Sequence, residues 1–350
     1  MITRRNFLAS LGITAGAFAV SAQTSFAGDR TKDLVRPKAL RFGDTVGVIT
    51  PATEVFEPER LALAERTLQY YGLQIKRGKN VGRRSFTYRG SIQGRLDDLH
   101  EMFRDPTVRA VFAVRGGYGT PHLLDRIDYD LIRRNPKIFI GYSDITALHL
   151  AINKNSRLVT FHGPVLLSRF TEYTKTHFRK ALFETQPLGK LTNPIESNEP
   201  HPTHSLQAIR TGTATGQLTG GNLSLICATL GTPYEIETKG KILFLEDVGE
   251  QAYRVDRMLT QLRLSGKLNQ AAGIVWGECQ DCRPSYYQPS LASPFTVGEV
   301  VNNILGELKV PILSGLMIGH TNDQLTLPLG IQARLDATNG ILEVKESAVV

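Results

Sequence analysis

The sequence predicts an α/β protein in which a parallel β-sheet is covered by helices on both faces. From residue 44 to residue 164, short apolar runs alternate with amphipathic stretches of helical length. Strands that alternate with helices in this way are typical of a parallel sheet. The chain also has 350 residues, more than the roughly 250–300 that one hydrophobic core usually supports. We therefore predict a second domain after the first.

The elements of the first domain follow from these patterns in order. The run 45–50 predicts a buried strand, and the apolar spacing between residues 58 and 71 predicts a helix. The same patterns predict further strands over 108–114, 137–141 and 158–161, and further helices over 95–103, 122–133 and 144–152.

Over residues 165–215, prolines and scattered polar residues interrupt this alternation of strands and helices. Such a stretch is typical of the connection between two domains. We therefore predict an N-terminal domain over 38–165, a linker region over 166–210 and a C-terminal domain over 211–346.

The C-terminal domain is predicted to mix helices with short strands. Its predicted helices cover 223–230, 255–264 and 297–308, and its first strands cover 241–245 and 272–276. The pair Asn339-Gly340 between two apolar runs predicts a closing hairpin with strands 331–335 and 341–344.

Residues 1–27 read as a secretory signal peptide of the twin-arginine type. Arg4 and Arg5 precede Phe7-Leu8 and a short apolar stretch, and small residues at Ser25 and Ala27 offer a cleavage site. We expect the mature protein to lie in the periplasm. No later segment approaches 18 consecutive apolar residues, so no transmembrane segment is expected in it.

Charge and motifs exclude several functional classes. The formal net charge is +8, and it falls to +6 without residues 1–27, which carry two arginines and no acidic residue. Basic residues do not cluster with aromatic ones, so nucleic acid is not an expected partner. No glycine-rich nucleotide motif occurs. Cys279 and Cys282 form a C-x-x-C without a second ligand pair, so a zinc site is not implied.

Ser143 is the candidate nucleophile. The apolar strand 137–141 runs through Tyr142 into Ser143 and then directly into a helix, which is the layout of a nucleophile elbow. The segment departs from the G-x-S-x-G form because Asp144 and Ile145 follow the serine. Serine and aspartate before a helix are also common N-caps, so this segment alone does not decide between a nucleophile and a helix cap.

A glycine-rich turn after the neighbouring strand favours the interpretation of Ser143 as a nucleophile. Arg115-Gly116-Gly117 leaves the strand 108–114, and the carboxyl ends of parallel strands lie at one ligand-binding edge. Exposed backbone amides of the Gly116 region and of Asp144 would form an oxyanion hole.

A serine nucleophile needs a base and an acid that orients it. Glu246 ends an apolar strand, and alternation places the following Asp247 on the other face. His320 follows a later apolar run, and His162, at the end of another predicted strand, is the rival base. His149 lies within the helix after the nucleophile, and we predict that it is a packing or surface residue.

Together these segments resemble the LD-carboxypeptidase family of serine peptidases over residues 38–346. The motifs that carry the resemblance occur in order: Arg115-Gly116-Gly117-Tyr118-Gly119, Gly141-Tyr142-Ser143-Asp144, Phe161-His162-Gly163-Pro164, Gly220-Gly221-Asn222-Leu223, Leu245-Glu246-Asp247 and Gly319-His320-Thr321.

The resemblance implies Ser143 as nucleophile, Glu246 as acid and His320 as base, with the backbone N–H groups of Gly116 and Asp144 as oxyanion donors. It also implies a flavodoxin- or amidotransferase-like parallel-sheet N-terminal domain and a smaller β-rich α+β C-terminal domain. The site would lie between these two domains. The resemblance further implies a homodimer, and the reaction requires no metal or organic cofactor.

The expected activity is hydrolysis of the L,D-peptide bond that releases terminal D-Ala from peptidoglycan tetrapeptides, with muropeptides as partners. An export signal departs from family members that recycle wall fragments in the cytoplasm. The alternatives are a self-immunity-type hydrolase of acyl-nucleotide peptide antibiotics and a non-catalytic periplasmic peptide-binding protein.

Overall fold

Two β-sheets flanked by helices organise residues 33–84, 87–194, 204–283 and 294–350, which this computed structural model describes. The strands are β1 (Thr45–Ile49), β2 (Gln74–Arg77), β3 (Val108–Ala113), β4 (Ile138–Gly141), β5 (Thr160–His162), β6 (Gly189–Leu191), β7 (Gln207–Arg210), β8 (Thr213–Asn222), β9 (Ile242–Val248), β10 (Gly273–Gln280), β11 (Ile312–Ser314), β12 (Leu327–Leu329), β13 (Gln332–Asp336) and β14 (Ile341–Val344). The helices are α1 (Pro58–Tyr70), α2 (Tyr88–Arg104), α3 (Tyr129–Arg134), α4 (Thr146–Ser156), α5 (Glu172–Phe183), α6 (Leu223–Ala228), α7 (Ala252–Leu264), α8 (Lys267–Gln270) and α9 (Val297–Gly306).

The first sheet has the strand order β12-β5-β4-β3-β1-β2. Strands β1 to β5 run parallel, and β12 pairs antiparallel with β5 at one edge. On β3, Phe112 belongs to the core on one face, whereas Val111 and Ala113 belong to the core on the other. Both faces are therefore buried, which explains the uninterrupted apolar runs in the sequence. The predicted α/β fold with a parallel N-terminal sheet is confirmed.

The second sheet has the order β6-β14-β13-β8-β9-β10-β11-β7 and is mixed. Its centre, β8 to β11, is parallel, and β13 and β14 form the predicted antiparallel hairpin. Gly340 in the turn has a φ of 67°, a backbone conformation that glycine adopts without strain. Strand β9 thus brings Glu246 to the carboxyl edge of this sheet.

Two segments differ from the sequence-based prediction. The predicted linker 166–210 contains helix α5 and strands β6 and β7. Thr171 caps α5 by accepting from the Thr174 backbone N–H, and Phe178 packs on the core. The prolines that suggested a linker all follow this helix. Strand β12, from the predicted C-terminal domain, joins the first sheet, and residues 34–350 form one compact unit.

The predicted signal segment 1–27 lies outside the described residues. Among the described helices, none combines the length and the apolar character that crossing a membrane requires. Cys279 and Cys282 are joined by a disulfide after the bulge in β10, and Cys227 is a buried free thiol.

Candidate active site

Ser143 lies in a tight turn between strand β4 and helix α4. Its φ is 65°, a left-handed conformation that a residue with a side chain rarely adopts. A Cβ at Gly141 would lie 2.9 Å from Ile145 Cγ1, so only glycine lets the turn fold this closely onto the strand. Such a strained turn is the feature that presents the serine oxygen in a nucleophile elbow.

The capping interpretation of Ser143 is wrong. The N-cap positions of the 3₁₀ turn 143–145 and of α4 are Tyr142 and Ile145, and neither makes a side-chain cap. The Ser143 hydroxyl instead lies 3.1 Å from His320 Nε2. The side chain is therefore available for chemistry rather than for helix capping.

His320 joins the serine to a buried carboxylate. Its Nδ1 lies 2.7 Å from Glu246 Oε2, and its Nε2 faces Ser143. If Nδ1–H donates to the carboxylate, Nε2 carries the lone pair that accepts the serine proton. The structure thus brings together the three predicted side chains in the order that acyl transfer requires.

Glu246 is fully buried at the end of β9. Burial raises the pKa of Glu246, and the hydrogen bond with His320 and the charge of that imidazole act in the opposite direction. Its Oε1 has no hydrogen-bond partner within the described residues. His320 therefore provides most of the compensation for the charge of this carboxylate, and the Asn222 side chain adds a smaller contribution.

Asp247 points away from this contact, as the strand alternation predicts. Its carboxylate accepts from Asn222 Nδ2 at 2.9 Å and from the Ser224 backbone N–H and hydroxyl at 2.9 and 2.8 Å. These bonds connect β9 to the start of α6. Asp247 is thus a structural residue beside the candidate acid.

Gly116 is packed directly against the candidate nucleophile. A Cβ there would lie 2.8 Å from Ser143 Cβ and 3.1 Å from its Oγ. The neighbouring Asp144 is fixed by Thr120, whose backbone N–H donates to Oδ2 at 2.8 Å and whose hydroxyl donates to the backbone oxygen at 2.6 Å. The two predicted oxyanion donors therefore flank Ser143. Thr120 is a residue that the motifs did not single out.

The rival histidines do not reach Ser143. His162 is fully buried between Tyr142 and Phe244, and burial lowers its pKa well below the usual range. His149 Nε2 donates to the Gly141 backbone oxygen at 2.8 Å, and burial lowers its pKa to about 4. Both imidazoles are neutral core groups at pH 7. The structure therefore supports His320 rather than His162 as the base.

The Tyr142 ring packs against the His320 imidazole. The two ring centroids are 4.8 Å apart with an interplanar angle of 66°, an edge-to-face contact. The sequence showed this tyrosine within a motif but gave it no role.

Replacement of Gly319 by alanine is expected to impair both activity and stability. Gly319 has a φ of 80°, and a Cβ there would lie 2.1 Å from Glu246 Oε2. The strain of a left-handed non-glycine residue costs about 1–3 kcal/mol. Because the clash displaces the acid that orients His320, we also expect kcat to fall at least about tenfold. Thermal unfolding and steady-state kinetics measure the two effects.

Gly340→Ala is the matched control for this prediction. Gly340 also has a positive φ, of 67°, but the nearest atom to its added Cβ is Leu206 Cδ1 at 3.4 Å. It should lose stability through strain and retain wild-type kcat. A Gly319→Ala enzyme with unchanged kcat would contradict the proposed importance of the Glu246 position.

The fold and this arrangement of serine, imidazole and carboxylate are those of a serine-type hydrolase. Two family models match the chain: the LD-carboxypeptidase N-terminal domain over residues 46–163 and the LD-carboxypeptidase C-terminal domain over residues 215–335. The chain belongs to the LD-carboxypeptidase family.

Individual proteins agree with this assignment. A probable murein peptide carboxypeptidase of Bacillus subtilis is 42% identical over 307 residues, which cover 86% of this chain and 91% of the relative. The structure of a muramoyltetrapeptide carboxypeptidase from Oxalobacter formigenes matches with a TM-score of 0.72 and 28% identity, covering 86% of this chain and 99% of that one. The microcin C7 self-immunity protein MccF, known from Escherichia coli, matches with a TM-score of 0.79 and 28% identity, covering 90% and 100%.

Proposed function

We propose that this protein is a serine carboxypeptidase that hydrolyses the L,D-peptide bond before the terminal D-Ala of peptidoglycan tetrapeptides and leaves tripeptides. The observation that carries the proposal is His320, which contacts both Ser143 Oγ and Glu246 Oε2. Similarity to the probable murein peptide carboxypeptidase of Bacillus subtilis and to the muramoyltetrapeptide carboxypeptidase of Oxalobacter formigenes supports the substrate class.

The proposed reaction proceeds by acyl transfer to Ser143 and then to water. His320 Nε2 takes the hydroxyl proton while Oγ attacks the carbonyl carbon of the diamino acid. The backbone N–H groups of Gly116 and Asp144 stabilise the oxyanion, and removal of one such donor typically costs about 10²–10³ in kcat. His320 then protonates the departing amine of D-Ala. Water, deprotonated by His320, releases the acyl group and restores the serine.

Glu246 supports both halves of this cycle. Its carboxylate accepts from Nδ1–H, which fixes the tautomer of His320 and stabilises the imidazolium that forms when Ser143 loses its proton. Its burial excludes water that would otherwise compete for Nδ1.

The experiment that tests the proposal is mass spectrometry of purified mature protein incubated with disaccharide tetrapeptide. We expect a product that lacks one alanine, and free D-Ala should appear in equal amount. An intact tetrapeptide after prolonged incubation at several pH values would contradict the proposed substrate.

The likeness to MccF favours a second candidate, a hydrolase of acyl-nucleotide peptide antibiotics. Incubation with an aminoacyl sulfamoyl adenosine separates the two. A non-catalytic peptide-binding protein, the third interpretation, would change neither compound. The carboxypeptidase proposal requires that the enzyme hydrolyse the tetrapeptide in preference to the aminoacyl sulfamoyl adenosine.

We also propose export to the periplasm by the twin-arginine route, on the basis of residues 1–27. Replacement of Arg4 and Arg5 by lysine is expected to retain the protein in the cytoplasm. Cell fractionation with an antibody against the chain measures this. Periplasmic recovery of the double variant at the wild-type level would exclude this route.

A further inference from the structure

Arg115 lies beside the candidate oxyanion donor, and no described residue forms an ion pair with it. It directly precedes Gly116, the glycine packed against Ser143, and its side chain is half-buried. Within the described part of the chain, its guanidinium forms no hydrogen bond or ion pair. A cation that is partly withdrawn from water and has no partner is costly unless a ligand supplies the opposite charge.

Glu57, whose carboxylate interacts electrostatically with Arg115, does not supply that charge. Backbone hydrogen bonds, and then the charges of Arg60 and Arg115, lower the pKa of Glu57. However, the Glu57 carboxylate accepts from the Phe56 backbone N–H at 3.2 Å and lies 3.9 Å from Arg60 Nη1. Its side chain is exposed, so its attraction to Arg115 is weakened by solvent.

Two other arginines near this edge of the first sheet are in different situations. Arg95 is buried, and its Nη1 donates to the Pro51 backbone oxygen at 3.0 Å. Arg169 follows strand β5 but is exposed. Arg115 differs from both, because it is half-buried and its guanidinium has no hydrogen bond or ion pair within the described residues. It also directly precedes Gly116, which packs against Ser143.

A carboxypeptidase must recognise the free carboxylate of the residue that it removes. The carboxylate carbon of a terminal alanine lies within roughly 4 Å of the attacked carbonyl carbon, because only three backbone bonds of about 1.3–1.5 Å separate them. Its anchor must therefore lie close to the nucleophile. Guanidinium is the group best suited to bind a carboxylate through two parallel hydrogen bonds.

We propose that Arg115 binds the terminal carboxylate of the leaving amino acid and so restricts this site to the last peptide bond. The inference rests on the proposed carboxypeptidase function and adds the group that determines its specificity. The Arg115 side chain binds the carboxylate while the next backbone N–H, at Gly116, binds the oxyanion. One short segment then positions both the attacked carbonyl and the carboxylate of the leaving residue.

The test compares two substrates in four enzymes. The substrates are a tetrapeptide that ends in D-Ala and the same peptide that ends in D-alaninamide. The enzymes are wild type, Arg115→Ala, Arg115→Lys and the exposed control Arg169→Ala. We expect wild type to prefer the carboxylate by about 10²-fold in kcat/KM, the size expected for a partly buried charge pair. Arg115→Ala should lose this preference through a higher KM for the carboxylate, and its kcat/KM on the amide should fall much less.

Each outcome has a defined meaning. Arg115→Lys should retain part of the preference because it keeps the charge without the bidentate geometry, and Arg169→Ala should match wild type. Equal loss on both substrates would show that Arg115 only supports the Gly116 turn, and an unchanged preference would also overturn the inference. If wild type releases no D-Ala from the tetrapeptide, the proposed function fails and this inference fails with it.

Discussion

Replacement of Ser143 by alanine is expected to lower kcat for D-Ala release by about 10⁴–10⁶-fold, the range seen when a serine nucleophile is removed. The variant lacks the oxygen that would become part of the acyl-enzyme, so only binding and oxyanion stabilisation remain. KM should change little, because the hydroxyl acts in bond formation rather than in substrate binding. Alanine has the same strain as serine at a φ of 65°, so the unfolding temperature should stay close to that of wild type.

Ser265→Ala is the matched control for this prediction. Ser265 follows helix α7, where its hydroxyl donates to the Leu262 backbone oxygen at 3.1 Å. It should retain wild-type kcat. Covalent capture of an acyl group or a fluorophosphonate on the peptide that contains Ser143 would identify the attacked atom. A Ser143→Ala enzyme with more than about a tenth of wild-type activity would place the nucleophile elsewhere.

The sheet edge of the active site was predictable because its strands are buried on both faces. Uninterrupted apolar runs such as 108–114 therefore predict the strands, and the polar or glycine residues that follow them indicate where the carboxyl ends of the strands lie. Ser143, Gly116 and Glu246 were all found in this way. The order of strand, serine and helix predicted the tight turn, but not the positive φ of Ser143, because the backbone conformation of one residue produces no periodicity in the sequence.

The choice between His162 and His320 could not be made from the pattern. Both follow apolar runs, and the difference arises because His162 is enclosed by Tyr142 and Phe244, whereas His320 contacts Ser143 and Glu246. These contacts join residues that are far apart in sequence, so local spacing carries no information about them. Resemblance to the family supplied the answer that spacing lacked.

Replacement of Glu246 by glutamine is expected to lower kcat by about 10²–10⁴-fold while it preserves or raises stability. The amide has nearly the same shape, but it carries no charge to stabilise the imidazolium of His320. If its NH₂ group faces Nδ1, it also selects the tautomer with a proton on Nε2, which cannot accept from Ser143. Steady-state kinetics of D-Ala release measure the loss.

Stability should move in the opposite direction because Glu246 is fully buried. Burial raises the pKa of Glu246, so the charged carboxylate disfavours the folded state at a pH above that pKa. The glutamine variant should therefore unfold at the same or a higher temperature at pH 8. The difference should shrink as the pH falls and wild-type Glu246 takes up its proton.

Glu343→Gln, on β14 in the same sheet, is the control and should leave kcat unchanged. Glu246→Asp tests geometry separately, because it keeps the charge but withdraws it by one methylene from His320 Nδ1. An intermediate kcat for the aspartate variant would show that distance and charge both matter. Wild-type kcat in Glu246→Gln would contradict the role of Glu246, since a neutral side chain cannot stabilise the imidazolium. Asp247 would not replace it, because its oxygens are already engaged by Asn222 and Ser224.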